Sequence, residues 1–260
     1  MLIIKLMNPN KNSLPRDNRD TAPDGAASNG TDEKIVVISV GGSLIVPNEI
    51  DLVFLKKFRD FIEKEINEGY QFVIVAGGGW TAREYQNAAR NLGKPTELDL
   101  DMLGIHATRI NAFLLKTVLG DLAHPKIILN PPGEIKFTEK ILIAAEENPG
   151  AGATSDYGAV KMAEYIGTTK ILNLTNVRYV YNKNPLKFPD ALPIKKMTWQ
   201  EFKEILSDDW ESGGHAPFGP AAAEEARKKG FEVAIIGGND LAEAKAYLDG
   251  GNFEGTLISK

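Results

Sequence analysis

Three short glycine-bearing stretches each follow an apolar run rich in β-branched residues, and that placement suits the binding of anions. The first is Gly41-Gly42-Ser43, which ends the segment opened by Ile35-Val36-Val37-Ile38. Glycines there let backbone amides approach a phosphate closely, and Ser43 adds a hydroxyl donor. Gly-Gly-Ser is equally a plain strand-exit turn. The second is Gly77-Gly78-Gly79-Trp80-Thr81-Ala82-Arg83, after Phe72-Val73-Ile74-Val75. Three consecutive glycines cost conformational entropy, which favours a functional reason over a loose turn. Arg83, in the first turn of the helix expected to follow, would add a charge-assisted bond to phosphate oxygens. The third is Pro149-Gly150-Ala151-Gly152-Ala153-Thr154-Ser155-Asp156, after Ile141-Leu142-Ile143. Its small residues clear space, and Thr154, Ser155 and Asp156 crowd hydrogen-bonding groups at a helix start. These are also the preferred N-cap residues, and both roles are compatible.

Other ways of doing such chemistry are absent. The chain contains no G-x-x-x-x-G-K-[ST] loop, no G-x-G-x-x-G fingerprint and no G-x-S-x-G elbow, which disfavours P-loop kinases, nicotinamide enzymes and the simplest hydrolases. With no cysteine, thiol catalysis, disulfides and thiolate metal sites are excluded, and three histidines make a histidine-rich metal cage improbable. A net charge of −5 argues against nucleic acid or an anionic membrane surface as partner. It leaves nucleotide substrates open, because helix N-termini supply local positive potential.

The elements that must position these loops read as alternating strands and helices. Strands are expected at Ile35–Ile38, Phe72–Val75, Ile127–Leu129, Ile141–Ile143, Ile171–Leu174, Val233–Ile236 and Gly255–Ile258. Between them come a helix with Leu52, Phe54, Leu55, Phe58, Ile62 and Ile66 on its inner side, one after the triple glycine, and others over Leu103–Leu119 and around Ala159–Tyr165. Glu201–Leu206, Ala221–Lys229 and Leu241–Leu248 complete the helices. Val177–Pro193, with mixed polarity, reads as an ordered excursion. Such alternation means an α/β fold, a mostly parallel sheet with helices on both faces, with ligands beyond the carboxyl ends of the strands. Residues 1–33, rich in Asn, Pro, Asp, Ser and Gly after Met1–Met7, read as a disordered extension, and residues 34–260 as one domain. No apolar stretch approaches the roughly 20 residues of a membrane span, and Met1–Met7 lacks the core of a signal peptide, so a cytoplasmic location is expected.

Read in order, "VISVGGSLIVP", "VAGGGWTAREY", "LDMLGIHATRINAFLL", "ATSDYGAVKMAEYIG", "LTNVRYVYNKNP", "HAPFGPAAAEEA" and "GTLI" resemble the amino acid kinase superfamily. Within it they resemble the UMP kinases, above all the branch typical of archaea. The likeness runs from about Lys34 to Ile258. It implies a three-layer αβα sandwich and ATP-dependent phosphorylation of UMP, with magnesium arriving on ATP and a homo-oligomer, usually a hexamer, as the assembly. By resemblance, Gly42, Ser43, Gly79 and Arg83 fall on ATP-phosphate positions. Thr175, Asn176, Tyr181 and Asn184 fall on adenosine and ribose positions. Gly78, Asp101, Thr108 and the stretch Gly150, Ala151, Gly152, Ala153, Thr154 and Ser155 fall on the UMP side. Asp101 would accept from both hydroxyls of the acceptor ribose. Arg83 and Asp156 are the catalytic candidates.

The chain departs from that pattern at four positions. Ser39 stands where many family kinases carry lysine, although the archaeal branch commonly lacks it. Arg178 and Asn184 stand in place of aspartates on the adenosine side, and Gly219 in place of an aspartate near the transfer site. These leave two further readings: a catalytically weakened relative that binds nucleotide as a sensor or storage protein, or a family kinase acting on another small acceptor. Lys183 and Arg178 are alternative cations, each more readily a solvated surface charge. His106, His215, Trp199 and Trp210 read as structural residues, and Trp80 as a shield for phosphates.

Overall fold

A computed structural model of the chain describes residues 34–129, 139–146, 154–185, 187–209 and 216–260. The expectations for residues 1–33, for Gly150, Ala151, Gly152 and Ala153, and for Trp210 and His215 lie outside the described residues.

The order of elements is β1 (Lys34–Val40), α1 (Gly42–Ile45), α2 (Leu52–Asn67), β2 (Tyr70–Ala76), α3 (Gly79–Leu92), α4 (Glu97–Leu119), β3 (Ile141–Ala144), α5 (Ser155–Ile166) and β4 (Lys170–Thr175). There follow β5 (Val180–Tyr181), β6 (Pro193–Ile194), β7 (Lys196–Thr198), α6 (Trp199–Asp209), α7 (Pro220–Lys229), β8 (Glu232–Gly237), α8 (Leu241–Leu248) and β9 (Thr256–Ser259). Among the described residues the main sheet runs β3-β2-β1-β4-β8-β9-β7, and β5 and β6 form a separate two-stranded ribbon. β3, β2, β1, β4 and β8 are parallel; β9 runs antiparallel to β8, and β7 follows β9.

The central strands are buried on both faces, which is why they read as unbroken apolar runs. Alternate side chains feed two cores. Val36, Ile38 and Val40 join Phe72, Ile74, Leu172 and Leu174 under α2, α4 and α8. Val37 joins Val73, Val75, Leu142, Ile171 and Val233 under α5, α6 and α7. Ser39 lies two residues beyond Val37 on the same strand, so period-two alternation turns its hydroxyl toward α5.

Helix starts follow local chemistry. The Asp51 side chain accepts from Phe54 N at 2.8 Å, and Thr96 and Asp99 close a reciprocal capping box. That box starts α4 six residues before the periodicity from Leu103 suggests. α7 opens on Pro220, whose missing N–H costs nothing there.

Two expectations need correction. Leu52 is exposed: it lies two residues, about 200° of helical turn, from Phe54, off the stripe that Phe54, Leu55, Phe58 and Ile62 bury. Ile127–Leu129 is not a strand: it touches β3 through one parallel bridge, Ile128 to Ala144, and a second bridge, Ala123 to Ile141, lies upstream of it. More chain separates the first members of those bridges than the second. The excess turns at His124–Lys126, where Pro125 has no N–H and Lys126 N donates to His124 Nδ1. The first glycine loop runs directly into a one-turn helix, α1.

Candidate active site

Connections from β1 step outward through β2 to β3, and the chain then returns to β4 on the opposite side of β1. This reversal opens a crevice beyond the carboxyl ends of β1 and β4, the usual ligand position of such sheets. The glycine loops leave from fixed points there. Gly41 N donates to Leu174 O at 2.8 Å, Gly77 N to Val40 O at 2.9 Å and Gly238 N to Thr175 O at 2.8 Å.

The first two loops then press backbone against backbone. A Cβ on Gly42 would lie 2.0 Å from Gly79 N, and one on Gly79 would lie 2.2 Å from Gly42 O. Gly79 also has φ +63°, a left-handed conformation that favours glycine. Trp80 N donates to Val46 O at 2.8 Å, fastening α3 to the end of α1. From α4, Asn111 Nδ2 donates to Gly77 O at 2.7 Å and Gly78 O at 3.1 Å. The triple glycine is thus a fixed wedge. Its N-cap, Gly78, supplies no side-chain cap to α3, which leaves first-turn amides for a ligand.

A cavity of about 270 Å³ opens over this wedge, lined by Ser43, Arg83, Thr175, Asn176, Val177, Ala216 and Pro217. Ser43, Arg83, Thr175 and Asn176, chosen from sequence on three separate segments, meet there. The Arg83 guanidinium stands 5.6 Å from the centre of the Trp80 ring, a cation–π contact that orients it. Lys183 is engaged elsewhere: its Nζ lies 2.6 Å from Asp190 and 5.3 Å from the Phe188 ring. Arg178 is exposed, its backbone beside Gly237. Arg83 is therefore the cation lining the cavity among the described residues.

Beneath the cavity lies a polar pair in an otherwise apolar layer. Ser39 of β1 and Asn173 of β4 are register partners, both buried. Ser39 Oγ donates to Asp156 Oδ1 at 3.0 Å, and Gly219 N donates to Asp156 Oδ2 at 2.9 Å. Asn173 Nδ2 donates to Pro217 O at 2.8 Å. The pair therefore holds both ends of Pro217–Gly219, directly and through Asp156. Burial pushes the Asp156 carboxyl up to about 6, and the Gly219 amide and the Ser39 hydroxyl pull the other way. A Cβ on Gly219 would come 3.3 Å from Thr154 Oγ1 and 3.7 Å from Asp156 Oδ2. Thr154 caps α5 by accepting from Tyr157 N at 3.2 Å. Ser155 opens that helix.

The α4 face that meets the wedge carries Asp101, Gly104, Thr108 and Asn111, spaced to share one side of a helix. A Cβ on Gly78 would lie 3.5 Å from Gly104 O and 3.6 Å from Ala107 Cβ. Asp101 is half-buried one turn before that contact. The Thr108 hydroxyl donates to Ile105 O of its own helix at 2.7 Å. Tyr181 and Asn184 lie on or beyond the β5–β6 ribbon and do not line the cavity. Tyr181 stacks edge-on against Tyr179, and Asn184 O accepts from Lys187 N and Phe188 N. His106 is exposed on α4; Trp199 is buried and donates to Phe231 O at 2.9 Å.

Two features escaped the reading of the sequence. Asn173 interrupts the run Ile-Leu-Asn-Leu, and a polar residue inside a buried strand was the available signal. Gly237-Gly238 repeats the strand-then-diglycine pattern of Gly41-Gly42. A Cβ on Gly238 would lie 2.2 Å from Leu44, so this loop buttresses α1.

Volume alone would favour another cavity, about 670 Å³, near the amino ends of β4 and β8. Its acidic side chains are committed internally: Glu232 accepts from the Tyr247 hydroxyl, Glu243 from Glu254 N, and Glu254 pairs with Lys195. The smaller cavity is where the strand-end loops and Arg83 converge. Among the described residues no three His, Asp or Glu side chains cluster to hold a metal ion. A single carboxylate, Asp156, beside hydroxyls suits an ion carried in on phosphates, since magnesium needs few protein ligands in such sites. No helix among the described residues is long and apolar enough to cross a membrane.

A mostly parallel sheet with a loop-lined cleft at its switch point and an arginine lining it suits an α/β protein of the phosphotransferase class. More particularly, the chain belongs to the amino acid kinase family, whose model matches residues 34–237. It is 34% identical over 230 residues to a uridylate kinase of Methanobrevibacter smithii, an alignment covering 86% of this chain and 99% of that one. With a uridylate kinase of Methanothermobacter thermautotrophicus it shares 35% over 218 residues, 83% and 95% of the two chains. The crystal structure of uridylate kinase from Archaeoglobus fulgidus superposes with a TM-score of 0.72 at 29% identity, covering 86% of this chain and 99% of that one.

Proposed function

We propose that this protein transfers the γ-phosphoryl group of ATP to UMP. An oxygen of the UMP phosphate attacks the γ-phosphorus, the bond to the β-phosphate oxygen breaks, and ADP and UDP are formed without a covalent intermediate. The observation that carries this reading is the meeting of Ser43, Arg83, Thr175 and Asn176 around one cavity above two interlocked glycine loops. The similarity to uridylate kinases over most of the chain supports UMP as acceptor.

In this reading Gly42, Ser43, Gly79 and Arg83 hold the phosphates of ATP, and Arg83 offsets the charge that develops on transfer. Thr175 and Asn176, which line the cavity, hold adenosine and its ribose, and Tyr181 and Asn184, outside that lining, bound the nucleoside from the ribbon side. Gly78, Asp101 and Thr108 hold the uridine side, and residues 150–155 receive the UMP phosphate. Asp156 orders the Pro217–Gly219 wall and offers a carboxylate to the metal. Magnesium, bound to the ATP phosphates, supplies charge neutralisation; the chain's own groups orient the two substrates and exclude water.

The same reading includes a cytoplasmic homo-oligomer, a hexamer by resemblance, and a separate extension over residues 1–33. Ile110 and Phe113, one turn apart on α4 and both exposed, fit an oligomer contact along that helix. The alternative of a nucleotide sensor draws on Asp156, whose partners are a hydroxyl and an amide rather than a cation. ADP release measured over a panel of nucleoside monophosphates, with ATP and magnesium, decides between them. UMP-dependent turnover is expected; tight UMP or ATP binding with no turnover would favour the sensor.

A further inference from the structure

The donor side of the cavity is the less self-supporting one. Beyond Thr175, Asn176 and Val177 the chain enters the β5–β6 ribbon, which pairs in register only at Val180 with Ile194 and Tyr181 with Pro193. Asn182 adds bonds to Leu192 through its amide and side chain. A two-stranded ribbon this short is marginal by itself and needs an outside anchor.

That anchor is β9, fixed in the main sheet by its pairing with β8. Thr256 of β9 is fully buried, and its hydroxyl serves both ribbon strands: it accepts from Val180 N at 2.8 Å and donates to Ile194 O. The β6 side has a second tie, since Leu257 N donates to Lys195 O at 2.9 Å. On the β5 side the further tie is outermost: Glu254, an exposed residue, accepts from the Tyr179 hydroxyl. Removing the Thr256 hydroxyl would strip the buried Val180 N–H of its partner, where no water replaces it cheaply. The strand released is the one that leaves the cavity at Val177 and carries Tyr181.

We infer that Thr256 is a positioning residue for the ATP side of the site, acting through β5 without touching nucleotide. This rests on the donor assignment proposed above. Thr256→Val keeps the branched shape and removes both hydrogen bonds, whereas Thr256→Ser keeps the hydroxyl. In two-substrate kinetics Thr256→Val should raise the KM for ATP roughly tenfold, leave the KM for UMP within about twofold, and be rescued by Thr256→Ser. An unchanged KM for ATP, or equal rises in both constants, overturns the inference. If Thr256→Val does not fold, Tyr179→Phe removes the outer tie and should raise the KM for ATP about two- to threefold; no change there overturns it as well. Should the wild-type chain show no UMP-dependent turnover, the donor assignment fails separately, and amide exchange decides on the clamp. Faster exchange at Val180 in Thr256→Val, with β1 unchanged, upholds it, and equal exchange sinks it.

Discussion

The two walls of the cleft are built in different ways. On the β1–β2 side, Gly41–Ser43 and Gly77–Gly79 touch backbone to backbone, so close packing fixes their positions together with the backbone bonds to Val40, Val46 and Leu174 and the Asn111 amide. On the β4 side, the ribbon and the Pro217–Gly219 segment each set one side chain, Val180 and Phe218, into the core, and side-chain hydrogen bonds made by Asn173, Asp156 and Thr256 fix the backbone around them. The first wall tolerates almost no change in residue type; the second can be retuned one bond at a time. Three of the four departures from the family pattern, Arg178, Asn184 and Gly219, fall on the second wall.

The sharpest way to break this comparison is Gly42→Ala. Its methyl would sit 2.0 Å from Gly79 N with only backbone to push against. Separating the loops is expected to cost about 4 kcal/mol or more and to abolish activity, read as a fall in Tm of roughly 10 °C and loss of turnover. A well-folded, active variant would show the first wall to be pliable.

Next in size, Arg83→Ala should lower kcat about 10²- to 10³-fold with little effect on Tm, because the guanidinium reaches into the cavity rather than into a core. Asp101→Ala should raise the KM for UMP roughly 10- to 100-fold and spare the KM for ATP.

The smallest effect concerns stability on the second wall. Burial raises the Asp156 carboxyl from its ordinary 3.8 to about 6. Native structure therefore favours the protonated form. The stability this confers is fully present below about pH 4 and is lost as pH rises through about 6. Asp156→Asn removes that dependence, and the Ser39 hydroxyl can turn to accept from its Nδ2. Urea unfolding should show the variant more stable at pH 7.5 by up to about 3 kcal/mol, with the gap closing toward pH 4, while activity falls. Residual solvent contact of the residue reduces that figure. A variant less stable than wild type at pH 7.5 would mean the carboxylate is held favourably.

Much of the first wall was legible in the residues, because a diglycine or triglycine after a buried strand has few purposes and the strands themselves are uninterrupted. The second wall was less so. Asn173 and Thr256 act through contacts 44 and 76 residues away in the chain, which no local pattern encodes. β7 buries only Met197 of its three residues and so has no period to detect. Ile127–Leu129 has strand composition, but Pro125 and the turn before it prevent a continuous ladder. Apolar runs specify which segments enter the sheet; partners distant in sequence decide where the loops between them come to rest.

In the proposed reading the cleft holds two nucleotides on separate sets of residues, ATP phosphates on Arg83 and the glycine loops, the acceptor on the α4 face at Asp101. Steady-state kinetics varying ATP and UMP independently, in wild type, Arg83→Ala and Asp101→Ala, tests it most directly. Arg83→Ala is expected to depress kcat or raise the KM for ATP while sparing the KM for UMP, and Asp101→Ala to raise the KM for UMP while sparing that for ATP. Both variants moving the same constant, or neither moving any, would contradict it.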